Sequence, residues 1–295
     1  MPWLKLTLRT ELAHATSWSE ALEECGAISV SLEDAGDEPL LACALEETPL
    51  WSQMWVSALF DAGTNPKQVC AQLAQILRLD QTPAYTSEIL ADQDWERAWM
   101  DRFQPMHFGG DLWVVPSWLK PPQPDAVNII LDPGLAFGTG THATTALCLT
   151  WLALHPPVNK DIIDFGCGSG ILAIAALKLG ARHAYGVDVD PHALTVSDEN
   201  ATANHVAAQL VLGMPDSLPG TAQADVVIAN ILAQPLILLA PQLMQLVKPG
   251  ATLILSGMLD NQTEEVSRHY CDHFEFERQV HDHWAMLVGQ HIHTP

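Results

Sequence analysis

Ile162-Ile163-Asp164-Phe165-Gly166-Cys167-Gly168-Ser169-Gly170 is the stretch on which the reading of the fold turns. An apolar run ends in an acid and three alternating glycines. The segment from Ile171 to Leu179 then reads as a helix closed by Gly180. Strand, tight glycine turn and helix form the first unit of a doubly wound α/β fold. Glycine suits the turn because the bend is sharp and a ligand must approach bare backbone, while the free N–H groups of the helix favour an anionic or acceptor group.

The glycine spacing narrows the ligand. Nicotinamide and flavin folds carry G-x-G-x-x-G, which seats a pyrophosphate on the helix. Here the order is Gly166-x-Gly168-x-Gly170 behind Asp164, and the dinucleotide fingerprint is not met. The D-x-G-x-G-x-G form resembles motif I of the S-adenosylmethionine-dependent methyltransferases with a seven-stranded sheet. Taken alone, the triplet also fits a tight strand-to-helix turn that holds nothing.

Working outward, the C-terminal side supplies more strands. Ala184 to Asp190 reads as a second parallel strand ending in two acids. Asp188 falls about 20 residues past the glycine turn, where a carboxylate can accept both hydroxyls of a ribose. Asp190, followed by Pro191, is assigned to capping the helix His192 to Asn204. Gln209 to Leu212 is a third strand, and Met214-Pro215-Asp216 follows where an adenine would lie. Asp225 to Ala233 is a fourth strand that ends in Asn230, at the strand end where doubly wound folds bind ligands. Asn230 can accept through its carbonyl and donate through its amide, and so can orient a substrate nitrogen; a plain turn asparagine is the alternative. Leu246 to Gly250 reads as a turn into a fifth strand, Ala251 to Ser256, and Phe274 to Val280 with Trp284 to Val288 as a closing antiparallel hairpin. His281 and His283 read as strand residues on one face, with no third ligand in register and no metal expected.

On the N-terminal side, Leu131 to Thr145 is rich in glycine and hydroxyls and runs into an apolar helix, Ala146 to Leu152. Hydroxyls and backbone donors at a helix start can hold a carboxylate, in methyltransferase terms the methionine end of the cofactor. Thr141 or Thr144 as an ordinary N-cap explains part of this run. His142 is a candidate base or a capping side chain.

Residues 1–90 read as a small separate α+β domain of ferredoxin-like rhythm. Its strands are placed at Trp3 to Leu8, Ala27 to Leu32, Leu40 to Leu45, Met54 to Phe60 and Tyr85 to Leu90. One helix starts near Ser17 and a second near Asn65-Pro66, with Val69, Leu73, Ile76 and Leu77 on one face. It carries no triad, metal spacing or glycine loop, so it reads as a recognition module or a structural extension. Residues 91–110 hold an amphipathic linker helix, Asp94 to Phe103, and a connection; residues 111–295 form the doubly wound domain.

The chain of 295 residues is 48% hydrophobic and 16% charged, which makes it globular. No apolar run reaches the ~18 residues of a membrane span, and Met1 to Leu6 lacks the apolar core of a secretory leader; a cytoplasmic protein is expected. The six cysteines are scattered without a C-x-x-C pair and read as free thiols. A formal net charge of -22 repels phosphate backbones and attracts basic partners.

With these pieces in place, the chain resembles the ribosomal protein L-eleven methyltransferases of the PrmA type over nearly its whole length. The resemblance rests on Phe137-Gly138-Thr139-Gly140-Thr141-His142-Ala143-Thr144-Thr145, on Asp164 to Gly170, and on Asn230-Ile231-Leu232-Ala233. It implies a seven-stranded Rossmann-like methyltransferase domain behind a substrate-recognition domain. It also implies S-adenosyl-L-methionine as cofactor, held by Thr145, Gly166, Gly168, Asp188 and Asn230, with Asn230 as the catalytic residue. The implied activity is methylation of the terminal α-amino group and lysine side chains of a basic ribosomal protein. A monomer is expected, and the acidic charge disfavours direct nucleic-acid contact. A small-molecule amine methyltransferase and a non-catalytic cofactor-binding scaffold are the other readings.

Overall fold

The computed structural model describes residues 2–36, 51–91, 103–132, 140 and 142–292. The chain divides into two units, Met1–Trp99 and Met100–Pro295.

The first unit runs β1 (Trp3–Glu11), α1 (Ala15–Glu24), β2 (Ser29–Asp34), β3 (Gln53–Asp61), α2 (Pro66–Ile76) and β4 (Tyr85–Leu90). The strands pair in the order β2-β3-β1-β4, antiparallel throughout, which is the ferredoxin-like arrangement. Period-two alternation sends Leu4, Leu6 and Leu8 of β1 inward with Val56, Ala58 and Phe60 of β3. There they meet Ala21 and Leu22 of α1 and Val69, Cys70 and Leu73 of α2. Each fully buried leucine contributes about 1.5–3 kcal/mol by leaving water. The opposite face is polar: Thr7 meets Ser57, Lys5 lies 3.8 Å from Glu88, and the Arg9 guanidinium sits 5.8 Å from the Trp55 ring centre.

The start of α1 corrects the sequence reading. A short 3-10 turn, Leu12–His14, leads into the helix at Ala15, and the Ser17 hydroxyl donates back to the His14 carbonyl instead of capping a helix at its own position. For α2 the expectation stands, with Asn65 accepting from the Lys67 N–H as the cap and proline at the first position. The strand expected at Leu40 to Leu45 lies outside the described residues, as does the linker helix at Asp94 to Phe103 but for its last residue.

The second unit opens with a three-stranded sheet, β5 (Met106–His107), β6 (Leu112–Val115) and β7 (Val127–Ile130). After α3 (Ala143–Leu154) come β8 (Asp161–Phe165), α4 (Ile171–Lys178), β9 (His183–Val187), α5 (Pro191–Ala203) and β10 (Leu210–Gly213). β11 (Ala224–Asn230), α6 (Ala233–Leu238), α7 (Ala240–Gln245), β12 (Val247–Leu259), α8 (Thr263–Arg268), β13 (Phe274–His281) and β14 (Trp284–His291) complete it. The sheet order is β10-β9-β8-β11-β12-β14-β13; the first five strands are parallel, and β14 pairs antiparallel with both β12 and β13.

Both faces of this sheet are covered, which is why its central strands read as continuous apolar runs. Ile162, Val226, Ile228 and Ile254 pack under α3 and α4 against Leu149, Leu152 and Ile174. Their neighbours Ile163, Val227, Leu253 and Leu255 face the other way, onto Leu236, Leu243, Val266 and Tyr270. At the strand starts, Lys248 bridges Asp161 and Asp225, and Arg182 pairs with Asp161. The Arg182 hydrogen bond is the main influence holding the Asp161 carboxyl below its usual range. Asn204, closing α5, ties that helix to the small sheet: its carbonyl accepts the Ile130 N–H at 2.8 Å and its amide donates to the Ile130 carbonyl at 2.7 Å.

Two expectations are corrected here. The segment expected as a turn before the fifth strand belongs to β12, because Val247 already pairs with Ala224. His281 closes β13, whereas Asp282 and His283, at φ +47° and +67°, form the hairpin turn, so the two histidines do not share a strand face.

Candidate active site

The parallel strands β8, β9 and β11 end on one side of the sheet, and the conspicuous polar side chains gather there. After β8 the backbone turns through Gly166 at φ +78°, and Gly166 and Cys167 both donate to the Val187 carbonyl, at 2.8 and 3.0 Å. A Cβ at Gly166 would run into Cγ2 of Ile231, so the turn is confined by side-chain packing as well as by φ.

Asp188 leaves the end of β9 toward this turn. One carboxylate oxygen accepts the Gly168 N–H at 2.8 Å and the other accepts the Asp190 N–H at 3.0 Å. Each oxygen keeps further acceptor capacity, so the carboxylate is held in place and still able to take a ligand's hydroxyls. Asp190 caps α5 through the His192 N–H, as expected.

Three residues the sequence reading left without a role build the site's support. Ser197 donates to the Gly168 carbonyl and Asn200 to the Ser169 carbonyl, both at 2.8 Å, pinning the glycine turn to α5. Their signal was the spacing of Ser197, Asn200 and Asn204, polar positions along one face of an otherwise unremarkable helix. The third is Asp164, which is fully buried. One of its oxygens accepts the Ala173 N–H at 3.1 Å and the other has no partner among the described residues. Burial pushes its pKa up to about 7, with the Asp188 charge adding to the rise and the Ala173 hydrogen bond opposing it. Burial also pushes the Cys167 thiol up to about 12, which marks it as a packing side chain and not a nucleophile.

Asn230 ends β11. Its amide lies 3.3 Å from the Thr145 hydroxyl, to which it donates, while its carbonyl oxygen is buried without a partner among the described residues. Thr145 itself is buried in the first turn of α3. The cap of that helix differs from both expected threonines: His142 is the N-cap. Its Nδ1 takes the Thr144 N–H at 3.4 Å and lies 2.8 Å from the Thr144 hydroxyl, and its ring meets the Trp284 edge at 4.6 Å between centres. Phe137 to Thr139 and Thr141 lie outside the described residues.

The structure therefore gathers Gly166, Gly168 and Asp188 into one cradle and pairs Asn230 with Thr145, with Ile231 touching the cradle from the asparagine's side. Among the described residues no group of three or more His, Cys, Asp or Glu side chains is placed to hold a metal ion. A nucleoside with a charged amino-acid tail suits this set of acceptors: a carboxylate with capacity left for hydroxyls, and an Asn230 carbonyl oxygen that is buried without a partner among the described residues.

Sheet order, glycine turn and strand-end acid define a Rossmann-like methyltransferase. The comparisons with known proteins agree. The family model described as "Ribosomal protein L11 methyltransferase (PrmA)" matches residues 2–291. A relative of that name from Pseudomonas putida (strain W619) is 51% identical over 292 residues, covering 98% of this chain and 99% of its own. One from Pseudomonas fluorescens (strain SBW25) is 50% identical over the same shares. The crystal structure of a ribosomal protein L11 methylase from Lactobacillus delbrueckii subsp. bulgaricus superposes with a TM-score of 0.59 at 30% identity, over 65% of this chain and 100% of that one. The chain belongs to the ribosomal protein L11 methyltransferase family.

Proposed function

We propose that this chain transfers methyl groups from S-adenosylmethionine to ribosomal protein L11, on its terminal α-amino group and on lysine side chains. The observation that carries the amine reading is the Asn230 carbonyl oxygen, buried and without a partner among the described residues while Thr145 anchors the amide beside it.

The cofactor supplies an electrophilic methyl on a sulfonium, and the protein's task is positioning. Asp188, fixed by the Gly168 and Asp190 N–H groups, takes the ribose hydroxyls. Gly166 and Thr145 complete the cofactor contacts. The Asn230 carbonyl oxygen accepts a hydrogen bond from the incoming amine and so turns the amine's lone pair toward the methyl group. A lysine amine has a reference pKa of about 10.4 and attacks only after losing a proton, which leaves to water. Alignment and exclusion of water supply up to about 7–11 kcal/mol of such a barrier.

In this reading residues 1–90 recognise the substrate, residues 91–110 connect, and residues 111–295 carry the chemistry. The acidic balance of the chain, -22, suits a basic ribosomal protein and disfavours direct contact with nucleic acid. No helix among the described residues is long and apolar enough to cross a membrane.

Incubation of the purified chain with methyl-labelled cofactor and a mixture of free ribosomal proteins tests the reading. Label on the L11 band, at its α-amine and lysines by mass spectrometry, is expected; label elsewhere, or none, overturns it. Equal methylation of free small amines by residues 100–295 alone would favour a small-molecule enzyme.

A further inference from the structure

The sheet order places β11 between β8 and β12, so the residue after Asn230 lies between the ends of two neighbouring strands. That residue is Ile231, and both neighbours lack a side chain where they meet it. On the β8 side stands Gly166, whose added Cβ would collide with Ile231 Cγ2. On the β12 side stands Gly257 at φ +90°, whose added Cβ would collide with the Ile231 carbonyl oxygen and lie 2.7 Å from its carbon and 2.9 Å from its nitrogen. The pairing of β12 with β14 slips between Ser256 and Met258, so Gly257 sits in a bulge. The Ile231 N–H donates to the Ser256 carbonyl at 3.1 Å, holding the turn to that bulge. Ile231 is partly buried against the core on the face opposite α3, whereas Asn230 turns toward Thr145 of α3.

We propose that Ile231 is a positioning residue: with its backbone seated against Gly257 and its side chain against Gly166, it holds the cofactor turn and the Asn230 amide at a fixed separation. The inference rests on the reading of Asn230 as the group that aligns the amine. In this proposal Ile231 acts through Gly166 and Asn230 and not on a reacting atom. Its β-branch supplies the contact to Gly166, so valine preserves that contact, while leucine, with its branch moved outward, and alanine lose it.

The test measures kcat and KM for the ribosomal protein, with S-adenosylhomocysteine affinity by calorimetry, in Ile231→Val, Ile231→Leu, Ile231→Ala, Asn230→Ala and the double variant Ile231→Ala/Asn230→Ala. Circular dichroism confirms folding; should Ile231→Ala not fold, Ile231→Leu takes its place, alone and with Asn230→Ala. Expected are a loss of about tenfold or more in kcat for alanine and leucine, KM and cofactor affinity within about threefold of the parent, and valine within about twofold. In the Asn230→Ala background the Ile231 change adds less than about twofold, as for residues that act as one unit. An unchanged kcat in Ile231→Ala beside a slow Asn230→Ala overturns this inference alone. A full tenfold loss in the Asn230→Ala background, or valine as slow as alanine, also overturns it. A parent rate in Asn230→Ala overturns the reading of Asn230 and this inference with it.

Discussion

The two sheets of this protein use polar side chains in opposite ways. The antiparallel sheet of the first unit has one polar face, on which Lys5 pairs with Glu88, Thr7 with Ser57 and Arg9 with the Trp55 ring. The seven-stranded sheet is covered on both faces, and toward its strand ends Asp164 and Asn230 each keep an oxygen without a partner among the described residues. A polar group closed off on an open face is structure; an orphaned one at the rim of a covered sheet is available for chemistry.

That contrast breaks or sharpens under four substitutions. Leu6→Ala in the core of the first unit is expected to destabilise that unit by about 2–5 kcal/mol, read by denaturant unfolding, because the cavity left by a fully buried leucine adds to the lost transfer energy. Cofactor affinity by calorimetry is expected to be unchanged; a parallel loss would mean the two sheets do not divide the work as described. Asn230→Ala should slow single-turnover methyl transfer by about 10²-fold, about 2.7 kcal/mol, with global stability within about 0.5 kcal/mol of the parent. For Asp188→Ala, calorimetry with S-adenosylhomocysteine should show affinity lower by roughly 1.5–3 kcal/mol, the worth of a hydrogen bond to a charged group; parental affinity would remove Asp188 from the ribose.

The smallest effect is expected at Asp164. Its folded pKa of about 7 lies above the 3.8 of an ordinary aspartate, so between about pH 4 and 7 the folded state binds more protons than the unfolded. Stability from this group is present below that window and declines as pH rises through it. Asp164→Asn should flatten the fall in Tm between pH 5 and 7.5, measured without cofactor; an identical fall in both proteins would show that Asp164 does not titrate there.

The strand, turn and helix around Gly166 were legible because their signals are local: an apolar run, alternating glycines, an acid at the next strand's end. Asp190 was legible for the same reason, its capping role being written in the proline beside it. The role of Lys248-Pro249-Gly250 was not, since the pairing of Val247 with Ala224 that draws them into β12 joins residues far apart in sequence. Nor was the choice of His142 over a threonine as cap, because the ring's place against Trp284 is decided by a hairpin more than a hundred residues away. Ser197 and Asn200 stayed silent because a polar residue on a helix declares its partner only once the glycine turn is folded beneath it.

The Asn204 amide has a consequence for the company the protein keeps. β7 is the outermost strand of its small sheet, and the Ile130 N–H and carbonyl would otherwise offer a template for a stray chain to pair with. One side chain imitates a peptide group, donor and acceptor both, and fills that vacancy from within the same molecule. Asn204→Leu should therefore leave Ile130 unpaired and make the protein prone to self-association, which light scattering would register.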